Sequence, residues 1–231
     1  PHRTGDKKIM LDNKSALLFD FDGTLVDSMG VWVQIDEDYI KKYNLVEPEH
    51  FHKDMEGLSY TETAEYFLKV FPTLPHTVEE LKEEWYHMAL YKYTHEIELK
   101  KGAEAFLRKA KEDGFKTGIA TSNDRQLVEA CLASLGISEC IDTISTGCEV
   151  QKGKPAPDVY LKAAENLHIK PESCLVFEDV PMGILAGKNA GMEVCAVEDW
   201  FSAKQREKKR ALADYYIQDY TGILNHIFEV L

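Results

Sequence analysis

The chain has 231 residues, 44% of them hydrophobic and 29% charged, the balance of a globular protein with room for one large domain or for a domain carrying an inserted module. Its formal net charge of -13 argues against a nucleic-acid partner, which calls for a basic face, but leaves room for a small anionic substrate met by a local cation. No apolar run reaches membrane-spanning length, so no membrane association is expected.

The segment before Met10 is polar and is not followed by an apolar signal-peptide stretch. A chain that begins with Pro reads as processed or truncated, with Met10 a plausible native start. The short apolar run Ala16-Leu17-Leu18-Phe19 then predicts a buried strand, and it ends in Asp20-Phe21-Asp22-Gly23-Thr24-Leu25-Val26-Asp27-Ser28. Acids at the end of a buried strand are costly without a compensating partner, and a divalent cation with a phosphoryl group would be such a partner. The one-residue spacing sets Asp20 and Asp22 on the same side of an extended backbone, and Gly23 releases the chain into a turn. An isolated D-x-D is most simply a strand followed by an acidic turn, so this segment gains meaning only from polar motifs further along the chain.

The next stretch, 29–97, holds no strand pattern. Val31 to Tyr43, Thr61 to Val70 and Val78 to Tyr93 have helical periodicity, broken at Pro48, Gly57, Pro72 and Pro75. A block of helices is therefore inserted after the first strand, placed to act as a lid over the strand ends. From about residue 100 the pattern alternates. Ala103 to Lys111 predicts a helix, Phe115 to Thr121 a strand, and Gln126 to Leu135 a helix with Asp124 as its cap. Ile141 to Ser145 predicts a strand, Pro157 to Leu167 a helix, Ser173 to Phe177 a strand, and Pro181 to Ala190 a helix closed by Gly191. Val194 to Val197 and Tyr215 to Ile217 complete the strands. The implied fold is α/β, a Rossmann-like parallel sheet covered by helices, with an inserted all-helical domain. Residues 10–27 and 98–231 would form the core and 28–97 the helical domain.

The five cysteines are odd in number, widely spaced and free of any Cys-x-x-Cys pair, which reads as free, mostly buried thiols in a cytoplasmic setting and speaks against zinc. Trp85 and Trp200 read as structural. The basic run Lys204, Arg206, Lys208, Lys209 and Arg210 follows helical spacing and reads as a solvated face.

Four separated segments place polar residues after a strand or at a helix start: Asp20 to Thr24, Thr121-Ser122-Asn123, Lys154-Pro155 and Glu178-Asp179. With D-x-D-G-T-L-V-D-S first and G-K-P-x-P-D and E-D-x-x-x-G following in that order, the chain resembles the haloacid dehalogenase superfamily over nearly its whole length. Within it, the likeness is to the β-phosphoglucomutase and phosphoglycolate phosphatase type with a small helical cap. The resemblance implies Asp20 as a nucleophile forming an aspartyl-phosphate. It implies Mg2+ held by Asp20, Asp179 and the backbone carbonyl of Asp22, with Glu178 contacting the ion through water. Asp22 would serve as general acid and then base, Lys154 as the cation on nucleophile and phosphoryl group, and Thr121, Ser122 and Asn123 as phosphate-binding groups. The dehalogenases proper lack the second aspartate, so phosphoryl transfer is the implied chemistry.

Mutases of the β-phosphoglucomutase type grip a second phosphate with a cap-loop arginine. The corresponding loop here is Glu56-Gly57-Leu58-Ser59-Tyr60, with Tyr60 at the arginine position, Glu56 at a lysine position, and Trp32 in place of a histidine. An acid where a cation is needed disfavours a bisphosphate. The implied function is thus a Mg2+-dependent phosphatase of a small phosphorylated metabolite, with a sugar-phosphate mutase second and a catalytically silent binding protein third. Trp32, Gly57, Leu58 and Tyr60 form the candidate selectivity surface, and a monomer or weak dimer is expected.

Overall fold

The computed structural model describes residues 3–4, 10–55 and 60–231, with only the backbone at Arg3, Thr4 and Tyr60. Glu56, Gly57, Leu58 and Ser59, and the side chain of Tyr60, lie outside the described residues. The chain divides into two compact units, one containing the chain up to Met29 together with Ile97–Leu231, the other Gly30–Glu96.

The first unit is built on the strands β1 (Arg3–Thr4), β2 (Ala16–Phe19), β3 (Lys116–Thr121), β4 (Thr143–Thr146), β5 (Cys174–Glu178), β6 (Glu193–Val197), β7 (Tyr215–Ile217) and β8 (Glu229–Val230). They form one sheet in the order β1-β8-β7-β6-β5-β2-β3-β4. Strands β2 to β7 are mutually parallel, as the alternation with helices requires. Strands β1 and β8 add an antiparallel margin that the sequence pattern does not announce, because two-residue strands carry no periodicity. All four residues of β2 are buried, the mark of a strand covered on both faces.

The helices of this unit are Ala103–Glu112, Arg125–Leu135, Asp158–Leu167, Pro181–Asn189, Arg206–Leu212 and Thr221–Leu224. The other unit holds α1 (Val31–Lys42), α2 (Phe51–Asp54), α3 (Tyr60–Val70) and α4 (Val78–His95), so the helices just named are α5 to α10 in chain order. Asp124 caps α6 as its spacing implies, its carboxylate accepting from the Gln126 and Leu127 amides. On one face of the sheet Val159, Tyr160 and Ala163 of α7 and Ile184 of α8 pack with Ala16, Leu18, Val176 and Val194. A cluster of aromatic rings fills a second core. Phe19 stacks on Phe177 at 4.8 Å, and Phe106 of α5 meets Phe177 edge-on at 5.7 Å. Within the helical unit Tyr39, Phe67 and Trp85 meet edge-to-face. Trp85 is buried there as a structural tryptophan should be. The short α2 has no sequence signal, since one turn leaves no period to detect.

Two readings are corrected. Trp200 is 62% exposed, not structural core; its Nε1 donates to Asp27 Oδ1 at 3.3 Å and its ring meets Phe201 edge-on at 5.5 Å. Lys209, read as part of a solvated face, is fully buried. The α9 helix packs on α8, and that contact turns one side of a basic helix inward. The five cysteines are unpaired, four of them buried and Cys148 exposed. No helix among the described residues is long and apolar enough to cross a membrane.

Phe19 carries the ring cluster directly beneath the acidic strand end. Phe19→Ala is expected to destabilise the fold by about 3–5 kcal/mol, read as a lower denaturant midpoint at unchanged slope.

Candidate active site

The site follows from strand register. Phe19 lies beside Ile119 on one side and Phe177 on the other, so the residues next in each strand are delivered to one level of the sheet. The Asp20 amide continues the ladder, donating to the Phe177 carbonyl at 3.0 Å. Asp20, Ala120 and Glu178 thus emerge side by side at the carboxyl ends of three adjacent strands, where open α/β sheets bind ligands.

The carboxylates of Asp20, Glu178 and Asp179 converge, with one oxygen of each within 4.8 Å of the others, and all three residues are buried. Lys154 enters this cluster from the loop after β4, its side chain only 9% exposed. Its Nζ donates to Asp20 Oδ1 at 2.8 Å, to Glu178 Oε1 at 2.6 Å and to the Ala120 carbonyl at 3.0 Å, which uses all three of its protons. Thr24 bridges two acids, with Oγ1 3.0 Å from Asp179 Oδ1 and 3.3 Å from Asp20 Oδ2. Two glycines make the packing possible. A Cβ at Gly23 would lie 2.2 Å from Asp179 Oδ2, and the backbone there has a φ of +78°. A Cβ at Gly183, in the first turn of α8, would lie 1.9 Å from Glu178 Oε2, which explains the glycine in the E-D-x-x-x-G spacing.

Asp22 is kept apart from the cluster. Ser28 Oγ donates to its Oδ1 at 2.6 Å and Asn123 Nδ2 to its Oδ2 at 2.9 Å. Both of its carboxylate oxygens are thus engaged. Thr121 is buried at the end of β3, and its hydroxyl accepts from the Asn123 amide at 3.0 Å. Asn123 therefore directs its main-chain N–H into the turn and its side chain to Asp22, while Ser122 stands exposed at the tip. Of the selectivity residues, Trp32 is half-buried on α1, whereas Gly57, Leu58 and the Tyr60 side chain fall outside the described residues.

Sequence reasoning missed Tyr160 and Ser28. The Tyr160 hydroxyl donates to Glu178 Oε1 at 2.5 Å, from a position that reads as plain helix core. Ser28, at the end of the first motif, carried a signal that could have found it, since it lies six residues beyond Asp22 across a turn that Gly23 closes.

Three ionised carboxylates against one ammonium would leave two negative charges uncompensated in a buried site. Burial first, and then the charge of Asp20, push the Glu178 carboxyl up to about 7 despite Lys154. Burial and the two neighbouring acids push Asp179 up as well. Burial alone would lower Lys154, but Asp20 and Glu178 hold it well above its ordinary range, so it stays charged. Glu178 Oε2 and Asp179 Oδ2 are buried with no hydrogen-bond partner. Two orphaned acid oxygens and a deficit of two positive charges fit a hard divalent cation such as Mg2+.

Residues 17–197 match the model of the haloacid dehalogenase-like hydrolases, and the chain belongs to that family. It is 32% identical over 187 residues to YhcW of Bacillus subtilis, provisionally named a phosphatase, covering 79% of this chain and 82% of that one. It is 34% identical over 184 residues to the bifunctional riboflavin kinase/FMN phosphatase of Arabidopsis thaliana, covering 79% of this chain but only 48% of that protein. The crystal structure of CbbY from Rhodobacter sphaeroides in complex with phosphate superposes with a TM-score of 0.77 at 23% identity, covering 93% of this chain and 99% of that one. Structures named for the β-phosphoglucomutase type from Thermotoga maritima and the phosphoglycolate phosphatase type from Haemophilus somnus superpose with a TM-score of 0.75 each, at 25% and 18% identity, and so share the fold.

A raised carboxyl means that the folded protein keeps a proton which the unfolded chain releases. That stability is present at low pH and is lost as pH rises through about 7 for Glu178. In EDTA the melting temperature is expected to fall between about pH 5 and about pH 8. Glu178→Gln should flatten this dependence, and millimolar Mg2+ should restore the melting temperature at the upper end, as thermal melts across that range would show.

Proposed function

We propose that this chain is a Mg2+-dependent phosphatase that hydrolyses a small phosphorylated metabolite through an aspartyl-phosphate on Asp20. Phosphohydrolase chemistry follows from membership in the haloacid dehalogenase-like hydrolases and from relatives named as phosphatases. The observation that carries the finer reading is the meeting of Asp20, Lys154 and Asp179 at one sheet edge, with Asp22 tethered beside them but outside the acidic cluster.

Asp20 is the nucleophile. Lys154 donates to its Oδ1, and one Asp20 oxygen forms a bond to phosphorus as the bond to the leaving oxygen breaks. Asp22 gives its proton to that leaving oxygen. As a carboxylate it then takes a proton from water, whose oxygen attacks the aspartyl-phosphate, releasing inorganic phosphate and regenerating Asp20. Ser28 and Asn123 orient Asp22, and both donate to the carboxylate form that takes the proton from water. Thr121 and its turn, with Lys154, receive the phosphoryl oxygens. Asp20, Asp179, Glu178 and the carbonyl of Asp22 would hold the Mg2+, which supplies positive charge between the carboxylates and a dianionic phosphoryl group.

Water, not a second sugar phosphate, is the acceptor, because the sequence carries Tyr60 and Glu56 at the positions where the likeness to β-phosphoglucomutase-type mutases calls for an arginine and a lysine. The helical unit, joined to the core directly after the first motif, is assigned to substrate selection, with Trp32, Gly57, Leu58 and Tyr60 as its contact residues. Five unpaired cysteines support a reducing, cytoplasmic setting.

A panel of phosphorylated metabolites with Mg2+ should reveal the substrate. Asp20→Asn is expected to lower kcat by roughly 10⁴-fold or more with an unchanged circular dichroism spectrum. Asp22→Asn should lower it by about 10²–10⁴-fold, and EDTA should stop turnover. Turnover that survives in Asp20→Asn, or conversion of hexose 1-phosphate to 6-phosphate in a bisphosphate-primed coupled assay, would refute the assignment.

A further inference from the structure

Lys209 is completely buried, an unusual place for an ammonium, and the mechanism above makes no use of it. Its Nζ donates to the Val197 carbonyl at 2.7 Å and to Ser202 Oγ at 3.1 Å, and it lies 5.8 Å from the centre of the Tyr216 ring. The carboxylates around it are committed elsewhere. Asp199 pairs with Lys100 and accepts from the Phe201 amide, and Glu198 is bound by Arg206. Burial pulls the Lys209 pKa down, although the charges of Asp179, Glu198 and Asp199 oppose that pull.

Ser202 is buried too, and it passes the contact on. Its Oγ donates to the main-chain carbonyl of Asp179 at 2.9 Å. That carbonyl belongs to the peptide between Asp179 and Val180, one residue before Pro181 opens α8. On its other side the Asp179 carboxylate has one oxygen on Thr24 and the other without a partner in the acidic cluster. The chain from ammonium to hydroxyl to carbonyl runs in one direction, and a cationic donor polarises the hydroxyl it binds, which strengthens the next bond.

We propose that Lys209 is a positioning residue: acting through Ser202, it fixes the Asp179 peptide and so aims the Asp179 carboxylate at the divalent cation. The inference rests on the reading of Asp179 as a Mg2+ ligand. Partners that orient a ligand from behind are worth about 10–100-fold in metal affinity. A lysine suits this place because its charge sits behind an acid-rich site without occupying an acid.

The test is calorimetric titration of MgCl2 into the whole, metal-stripped protein, with melting temperatures taken in parallel without Mg2+. Lys209→Met and Ser202→Ala are each expected to weaken Mg2+ binding by about 10-fold, and the double variant to weaken it no further than the weaker single. Two independent effects that multiply in the double variant would overturn the relay. So would lower melting temperatures with unchanged Mg2+ affinity, the result of a merely structural role. If Lys209→Met fails to fold, Ser202→Ala decides alone. Absence of Mg2+ binding in the folded parent would refute the metal site and the inference with it, whereas binding left intact in both variants refutes only the relay.

Discussion

An excess of buried negative charge governs this molecule. Asp20, Glu178 and Asp179 bring three carboxylates to one point, and Lys154 offsets only one of them. Isolated acids at this depth would cost several kcal/mol each, so they would not persist without compensation. The fold compensates part of the charge with its own donors from Lys154, Thr24 and Tyr160, and the remainder matches a divalent cation and the phosphoryl chemistry that such an ion permits. Stability and function are therefore coupled at this point, because the groups that need a partner are the groups assigned to the reaction.

Holding such a cluster open takes a rigid backbone, and main-chain carbonyls around the site are tied down from behind. The Tyr220 hydroxyl donates to the Thr24 carbonyl at 2.9 Å, the Lys100 amide to the Leu25 carbonyl at 2.8 Å, and Ser202 to that of Asp179. The donors come from three separate parts of the chain. Preorganisation of this kind is what electrostatic catalysis requires, since charges that must relax during the reaction contribute little. The two glycines serve the same end by letting backbone approach carboxylates where no side chain would fit.

The main elements were legible in the sequence because their signals are local. Four apolar residues ending in an acid define β2, Asp124 before a helical period defines the start of α6, and the alternation of strands and helices defines a parallel sheet. The antiparallel margin and α2 were not legible, being too short to carry a period. Asp20, Lys154, Glu178 and Asp179 were legible as candidates because acids at strand ends and a lysine before proline stand out from their surroundings. Tyr160 was not, since a tyrosine on the inner face of a helix looks the same whether its hydroxyl meets a carboxylate or a water.

The sequence by itself determined the strands β2 to β7, that they lie parallel, and that acids emerge at their carboxyl ends, because each of these depends on neighbours within a few residues. Only the tertiary structure decided which acids share a site, that Asp22 stands apart on Ser28 and Asn123, and that Lys209 faces inward while Trp200 faces out. Those outcomes depend on strand register and on which side of a helix its neighbour covers. Both are settled by packing between segments far apart in the chain, and no local pattern records them.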